Sequence, residues 1–277
     1  MSVRTELRSN KLKELWKRRP VLALGVLVVV IILLAGLLRS DMLFMDKSNP
    51  EAFDGLPQRY TYLEAGKDQV KLHMMSVKPE DVRLRADKTP LRQIAAFGIN
   101  GGFFYGEDLL SIAIMNDQPV NGAQRAYGSG WFNAKYARGT LVWDGVTGAF
   151  SVQVVSSAEE LTVTDRSRYF AQGGISMNLQ HEALWEAAVK AEQLPYADEQ
   201  RMRSGLVYDK TGKVWLIVTP SLCTAAEFRT AVLEAVPGEG REGIFLDGDG
   251  SSQMNAAERV LEGDSRPVVQ MIAVAGK

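Results

Sequence analysis

The chain has 277 residues, enough for one or two domains, and its 46% hydrophobic and 23% charged residues exclude disorder as the main state. A single cysteine, Cys223, excludes an intramolecular disulfide framework and a cysteine-cluster metal site; two histidines, His73 and His181, argue against a multi-histidine zinc centre. The net charge of −1 hides an asymmetry: residues 1–20 carry seven basic and two acidic side chains, so the remainder sums to −6, and an acidic body argues against nucleic acid as a partner.

In chain order, residues 1–20 read as a basic cytoplasmic segment. Val21 to Leu38 (VLALGVLVVVIILLAGLL) has no polar side chain over 18 residues. As a helix it would be about 27 Å long, close to the hydrocarbon thickness of a bilayer. It is expected to be an uncleaved transmembrane signal anchor, since a cleavable signal has a shorter apolar run and an A-x-A-like end. Basic residues cluster before it, so the expected location is the inner, cytoplasmic membrane, single-pass. The N-terminus is then cytoplasmic and the C-terminal body periplasmic or extracellular. Residues 39–57, with Asp41, Asp46, Pro50, Gly55 and Pro57, read as a linker, which leaves 58–277 as one domain.

The body carries mainly strand signals. Val70, Leu72 and Met74 alternate with Lys71 and His73. Leu141 to Trp143 runs into the turn Asp144-Gly145, and Ala149 to Val155 returns. Gly205 to Tyr208 and Val214 to Val218 flank Asp209 to Gly212 as a hairpin. Ile244 to Leu246 is a short run of the buried-strand type. Helices are fewer. Thr224-Ala225-Ala226-Glu227 is a capping box ahead of Phe228, Ala231, Val232 and Ala235; His181 to Gln193 is a second helix, and Leu91 to Ala96 a short third. The expected class is α+β, mostly antiparallel or mixed sheet with a few packed helices, preceded by one transmembrane helix.

Four segments hold chemistry-bearing residues. Asn100-Gly101-Gly102-Phe103 puts an amide donor and acceptor beside two residues without Cβ atoms, so a ligand or a backbone can approach closely; a plain glycine turn has the same pattern. Gly173-Gly174 is a second glycine pair at the end of an apolar segment. Arg203-Ser204-Gly205 opens a buried strand with a guanidinium able to bind a phosphate or carboxylate, or to form a surface ion pair. The sharpest segment is Leu246-Asp247-Gly248-Asp249-Gly250-Ser251-Ser252. It sets a carboxylate where a strand ends, followed by a glycine loop whose N–H groups suit an anion. Two rivals remain here: an Asx-turn, and a calcium loop using Asp247, Asp249, Ser251, Gln253, Asn255 and Glu258. The calcium frame has Ser252 where glycine is required and a strand where a helix should precede it. Cys223 sits by a helix start that can lower a thiol pKa, but no histidine pairs with it.

Taken in order, these segments resemble the phosphodiester glycosidase domain family, found in N-acetylglucosamine-1-phosphodiester alpha-N-acetylglucosaminidases and in bacterial envelope proteins. Arg266-Pro267-Val268 also fits, and the resemblance covers about residues 90–275. Asp249 replaces the middle glycine of the family's closing motif. The resemblance implies a membrane-anchored extracytoplasmic hydrolase of sugar-1-phosphodiesters in envelope or extracellular glycans, without metal or cofactor. Asp247 would serve as nucleophile or base, Arg203 would neutralise the phosphate, and Asn100 would orient sugar or phosphate oxygens. Gly101, Gly102, Gly173, Gly174, Gly248, Asp249, Gly250, Ser251 and Ser252 would line the substrate site. Asp249, Asp209 and Glu107 are candidates for a second carboxylate. The alternatives are a non-catalytic glycan-binding or regulatory envelope protein of the same fold, and a metal-dependent phosphodiesterase.

Overall fold

The structure is a computed structural model and describes residues 53–275. Three antiparallel sheets dominate it. The six-stranded sheet runs, in spatial order, Tyr60–Lys67, Val70–Val77, Val214–Cys223, Arg201–Tyr208, Glu242–Phe245 and Ile175–Ser176. A five-stranded sheet contains Phe150–Val155, Arg138–Asp144, Tyr169–Gly173, Ala113–Met115 and Gln118–Pro119. Another contains Val260–Leu261, Met254–Asn255, Gly98–Asn100, Val268–Val274 and Val82–Thr89. A small hairpin pairs Phe104–Tyr105 with Asp108–Leu109.

The inner strands of the six-stranded sheet are buried on both faces, and their sequence shows why. Leu72 and Met74 point one way and Met75 and Val77 the other; Trp215 and Ile217 oppose Val214, Leu216 and Val218 in the same fashion. One face packs on the helices α1 (Glu182–Ala191) and α2 (Ala225–Ala235) through Trp185, Phe228, Ala231 and Val232. The other face meets Val82, Leu84, Ile99, Ile272 and Val274 of the sheet that carries Asn100. A large-to-alanine change at such fully buried positions costs about 2–5 kcal/mol.

Local chemistry sets the boundaries. The Thr224 hydroxyl accepts from the Glu227 N–H at 3.2 Å and the Glu227 carboxylate accepts from the Thr224 N–H at 2.7 Å, so the expected capping box starts α2. The Asp144 carboxylate accepts from the Val146 and Thr147 N–H groups at 2.9 and 3.1 Å, which closes the turn expected after Trp143.

Two expectations are corrected. The α+β class gives way to a mostly antiparallel β architecture: the described residues contain two short α-helices, and Leu91–Gln93 is a single 3-10 turn. The turn closes with the Ile94 N–H donating to Leu91 O at 2.8 Å and ends there, because Ile94 is already extended; the Asn255 side chain also donates to the Leu91 and Ile94 carbonyls, at 2.6 and 3.2 Å. The transmembrane helix has no counterpart among the described residues. No helix among the described residues is long and apolar enough to cross a membrane, and residues 21–38, on which that expectation rested, lie outside the described residues. Phe53 and Leu56, within the stretch read as linker, pack on the core, with the Phe53 ring 5.2 Å from that of Phe97.

Candidate functional site

The strand Arg201–Tyr208 lies between Val214–Cys223 and Glu242–Phe245, and its N-terminal end is irregular. Arg201 pairs with Cys223, yet Arg203 pairs with Thr219. A bulge of this kind re-aims side chains at a sheet end. Here both arginines face a cavity of about 220 Å³, walled by Phe103, Leu194, Tyr196, Phe245, Asp247 and Asp249, with Arg266 at its edge.

Arg203 is buried, and its partners are all main-chain carbonyls: Nε donates to Cys223 at 3.3 Å, and Nη2 donates to Tyr196 at 2.6 Å and Glu199 at 2.8 Å. Nη1 makes no hydrogen bond with the described residues, and no carboxylate among them pairs with this guanidinium. Burial pushes its pKa down, but an arginine stays charged at any ordinary pH. The cavity therefore contains a fixed positive charge that no carboxylate hydrogen-bonds, lying in the field of Asp249 and Glu199, with one edge free.

Asp247 lies two residues past the end of the strand Glu242–Phe245. Its N–H donates to Gly101 O at 3.2 Å, and the preceding Leu246 N–H donates to Ser204 O at 2.9 Å. The Asp247 residue keeps an edge on the cavity. Even so, the protein packed around its carboxyl outweighs that exposure and lifts its pKa to about 6, against the opposing pull of the Ser251 hydroxyl, the Gly248 N–H and Arg266. A carboxyl that titrates near neutrality, beside a cation with a free edge, is equipped for proton transfer.

Asn100 stands beneath the cavity instead of lining it. Its amide donates to Asp247 O at 2.8 Å, and its Oδ1 accepts from Ser204 Oγ at 2.9 Å and from Gln253 N at 3.1 Å. The side chain is buried and braces three strand ends, with no hydrogen-bonding capacity directed at a ligand. Gly101 and Gly102 serve the same joint: a Cβ on Gly102 would lie 2.5 Å from Ser111 Cβ, and the Gly102 N–H donates to Gln270 Oε1 at 2.9 Å.

The other residues divide. Gly248 and Asp249 line the cavity. Gly250 lies against the Asp264–Arg266 ion pair, Ser251 serves the Asp247 carboxyl, and Ser252 is buried. Gly173 and Gly174 end the strand beside the cavity wall, donating to Ile112 O and Gly139 O at 2.7 and 2.8 Å. They do not line the cavity, although Gly174 backs onto Phe245, which does.

Of the candidate second carboxylates, Asp249 alone faces the cavity. It is ion-paired with Arg201 at 3.0 Å and has φ +54°, a left-handed conformation that aspartate tolerates better than most residues. Asp209 is spent on Thr211 and on Trp215 Nε1 at 2.9 Å, and Glu107 pairs with Lys88 at 2.5 Å. The residues of the calcium frame diverge: Gln253 Nε2 donates to Arg266 O at 2.8 Å, and the Asn255 side chain holds the Leu91 turn. Burial pushes the Cys223 thiol up to about 12, opposite to the lowering that its place by a helix start suggested.

Sequence reading missed Tyr196, Leu194 and Pro195. Tyr196 has φ +52°, its carbonyl fixes Arg203, and its ring stacks on the Arg201 guanidinium at 4.6 Å. A loop aromatic in a left-handed conformation carries no periodic signal, so only the assembled sheet reveals it.

These features describe a β-sheet protein with a cavity lined by arginines and aspartates at the ends of strands from two sheets. Among solved structures it is similar to the catalytic domain of zebrafish N-acetylglucosamine-1-phosphodiester alpha-N-acetylglucosaminidase, auto-inhibited by its pro-peptide (TM-score 0.55, 11% identity, 83% of this chain and 94% of that chain). It also matches a hypothetical protein from Synechocystis (TM-score 0.45, 12% identity), covering 79% of this chain but only 62% of that one. No family model and no curated protein matches the sequence. The likeness to the zebrafish glycosidase domain is one of fold.

Proposed function

We propose that the cavity hydrolyses a glycosyl phosphodiester, cleaving between the anomeric carbon and the phosphate oxygen. The observation that carries this reading is the buried Arg203 guanidinium, bonded only to carbonyls, opening on the same cavity as the Asp247 carboxyl with its pKa of about 6. As the C1–O bond breaks, the electron pair stays with the phosphate, which gains a second negative charge. The free edge of Arg203 stabilises that charge where it develops. Positive charge grows at C1, and the Asp247 carboxylate meets it as nucleophile or as base for the attacking water. Water supplies hydroxyl to the sugar, and the displaced proton leaves through Asp247. The fold shared with the zebrafish glycosidase domain supports the reading.

Product analysis tests it. Incubation of the protein with a glycosyl-1-phosphodiester should release free reducing sugar and a phosphomonoester. Release of sugar-1-phosphate would indicate cleavage on the other side of the phosphorus and contradict the mechanism, and tight binding without turnover would favour a glycan-binding module.

A further inference from the structure

We propose that a groove beside the cavity, lined by Tyr127, Phe132, Lys135, Tyr136 and Ser156, binds a second, neutral pyranose unit of the substrate glycan. That this unit belongs to the substrate rests on the hydrolase reading above; the groove's affinity for saccharide does not.

Size is the first argument. The cavity holding Arg203 and Asp247 encloses about 220 Å³, less than the roughly 300–1,000 Å³ of sites that engulf a drug-sized ligand. It has room for the reacting group and little more, so a glycan must find further contacts outside it. The groove offers about 420 Å³.

Continuity is the second. Phe103 walls the cavity, and the Arg138 guanidinium lies over its ring at 5.2 Å and over the Tyr136 ring at 5.6 Å. Arg138 is buried and anchored on Glu192 O at 3.0 Å, so the Phe103–Arg138–Tyr136 stack is a fixed bridge from cavity to groove. The main chain makes the same link: the Leu110 N–H donates to Phe103 O at 2.8 Å, and Leu110 O accepts from the Ala134 N–H at 2.9 Å.

Chemistry is the third. Tyr136 and Tyr127 remain 41% and 67% exposed, an outlay of aromatic surface that the core does not use. Tyrosine presents a rigid apolar face with a polar tip at low entropic cost. The C–H face of a pyranose matches that ring face, and its hydroxyls match the tyrosine hydroxyls, Lys135 and Ser156 at the rim.

Calorimetric titration of the full chain carrying Asp247→Asn, with neutral tetrasaccharides of α-linked glucose, β-linked N-acetylglucosamine and α-linked mannose, tests the groove without turnover. At least one should bind, Tyr136→Ala should weaken it by about tenfold or more, and Tyr136→Phe should retain most of the affinity in an equally folded protein. If no tetrasaccharide binds, or if binding is untouched by both Tyr136→Ala and Tyr127→Ala, the assignment is wrong. In the active chain, Tyr136→Ala should raise KM for a substrate bearing an added sugar unit and leave KM for the single-sugar diester unchanged; an equal rise for both overturns the subsite. Saccharide binding in a protein that cleaves no glycosyl phosphodiester would sink the hydrolase reading and leave the groove standing.

Discussion

The Asn100 side-chain amide donates to the main-chain oxygen of Asp247 at 2.8 Å, joining residues 147 positions apart. One five-stranded sheet thereby positions the residue just past the end of a strand of the six-stranded sheet. The same side chain accepts from Ser204, next to Arg203, so the chain positions of Asp247 and Arg203 are referenced to one buried amide.

Asn100→Ala should therefore act through structure first. It leaves the Ser204 hydroxyl and the Gln253 N–H without their acceptor and Asp247 O without its donor. Each buried orphan costs about 1–3 kcal/mol, so a loss of several kcal/mol in urea unfolding is expected. Turnover per folded molecule should also fall, because Asp247 loses its support. A variant with unchanged stability would show that Asn100 is not the brace.

Asp249 holds Arg201 by an ion pair at the cavity mouth. Asp249→Gly relieves the left-handed backbone and removes one negative charge, leaving Arg201 with Glu199. Affinity for inorganic phosphate should rise several-fold at low ionic strength and the gain should shrink with added salt. Weakened phosphate binding would make Asp249 a participant in binding instead of a restraint on it.

Asp247 links activity and stability to pH in opposite senses. Its pKa is raised by folding from 3.8 to about 6, so the native state holds the proton more tightly than the unfolded chain. Its contribution favours folding fully below about pH 4 and is lost as pH rises to about 6. The full cost above pH 6 is at most about 3 kcal/mol, and less because one edge meets solvent. Asp247→Asn should raise the thermal midpoint at pH 7.5 and lose that advantage at pH 4. By contrast, kcat/KM of the wild type should climb through about pH 6, as Asp247 ionises. A flat acid limb would remove Asp247 from the chemistry.

Phe53 and Leu56 pack on the core. A chain starting at Phe53 should unfold at higher urea than one starting at Gln58, by about 3 kcal/mol for the buried aromatic. Equal midpoints would show that this contact adds nothing.

What the sequence made legible was local. The strand signalled by Val70, Leu72 and Met74, the Asp209–Gly212 turn and the Thr224–Glu227 box depend on neighbours within a few residues, and each forms, although His73, read as a polar alternate, is fully buried. The place of Asp247 just past a strand end was visible for the same reason. The architecture was not: Met74 and Met75 are both fully buried, because helices cover one face of their sheet and another sheet covers the other, and no pattern within the strand announces both layers. Asn100 read as a ligand contact because its amide has both donor and acceptor; that these are consumed by Asp247, Ser204 and Gln253 depends on strand pairings over more than 100 positions.

The most direct measurement is turnover of a glycosyl-1-phosphodiester by wild type, Asp247→Asn and Arg203→Ala, with the thermal midpoint taken on the same samples. Asp247→Asn should stay folded and lose several orders of magnitude in kcat, about 1.4 kcal/mol of barrier per tenfold, while still binding substrate. Arg203→Ala should lose affinity and rate together. A folded Asp247→Asn protein that retains most of the wild-type rate would contradict the account.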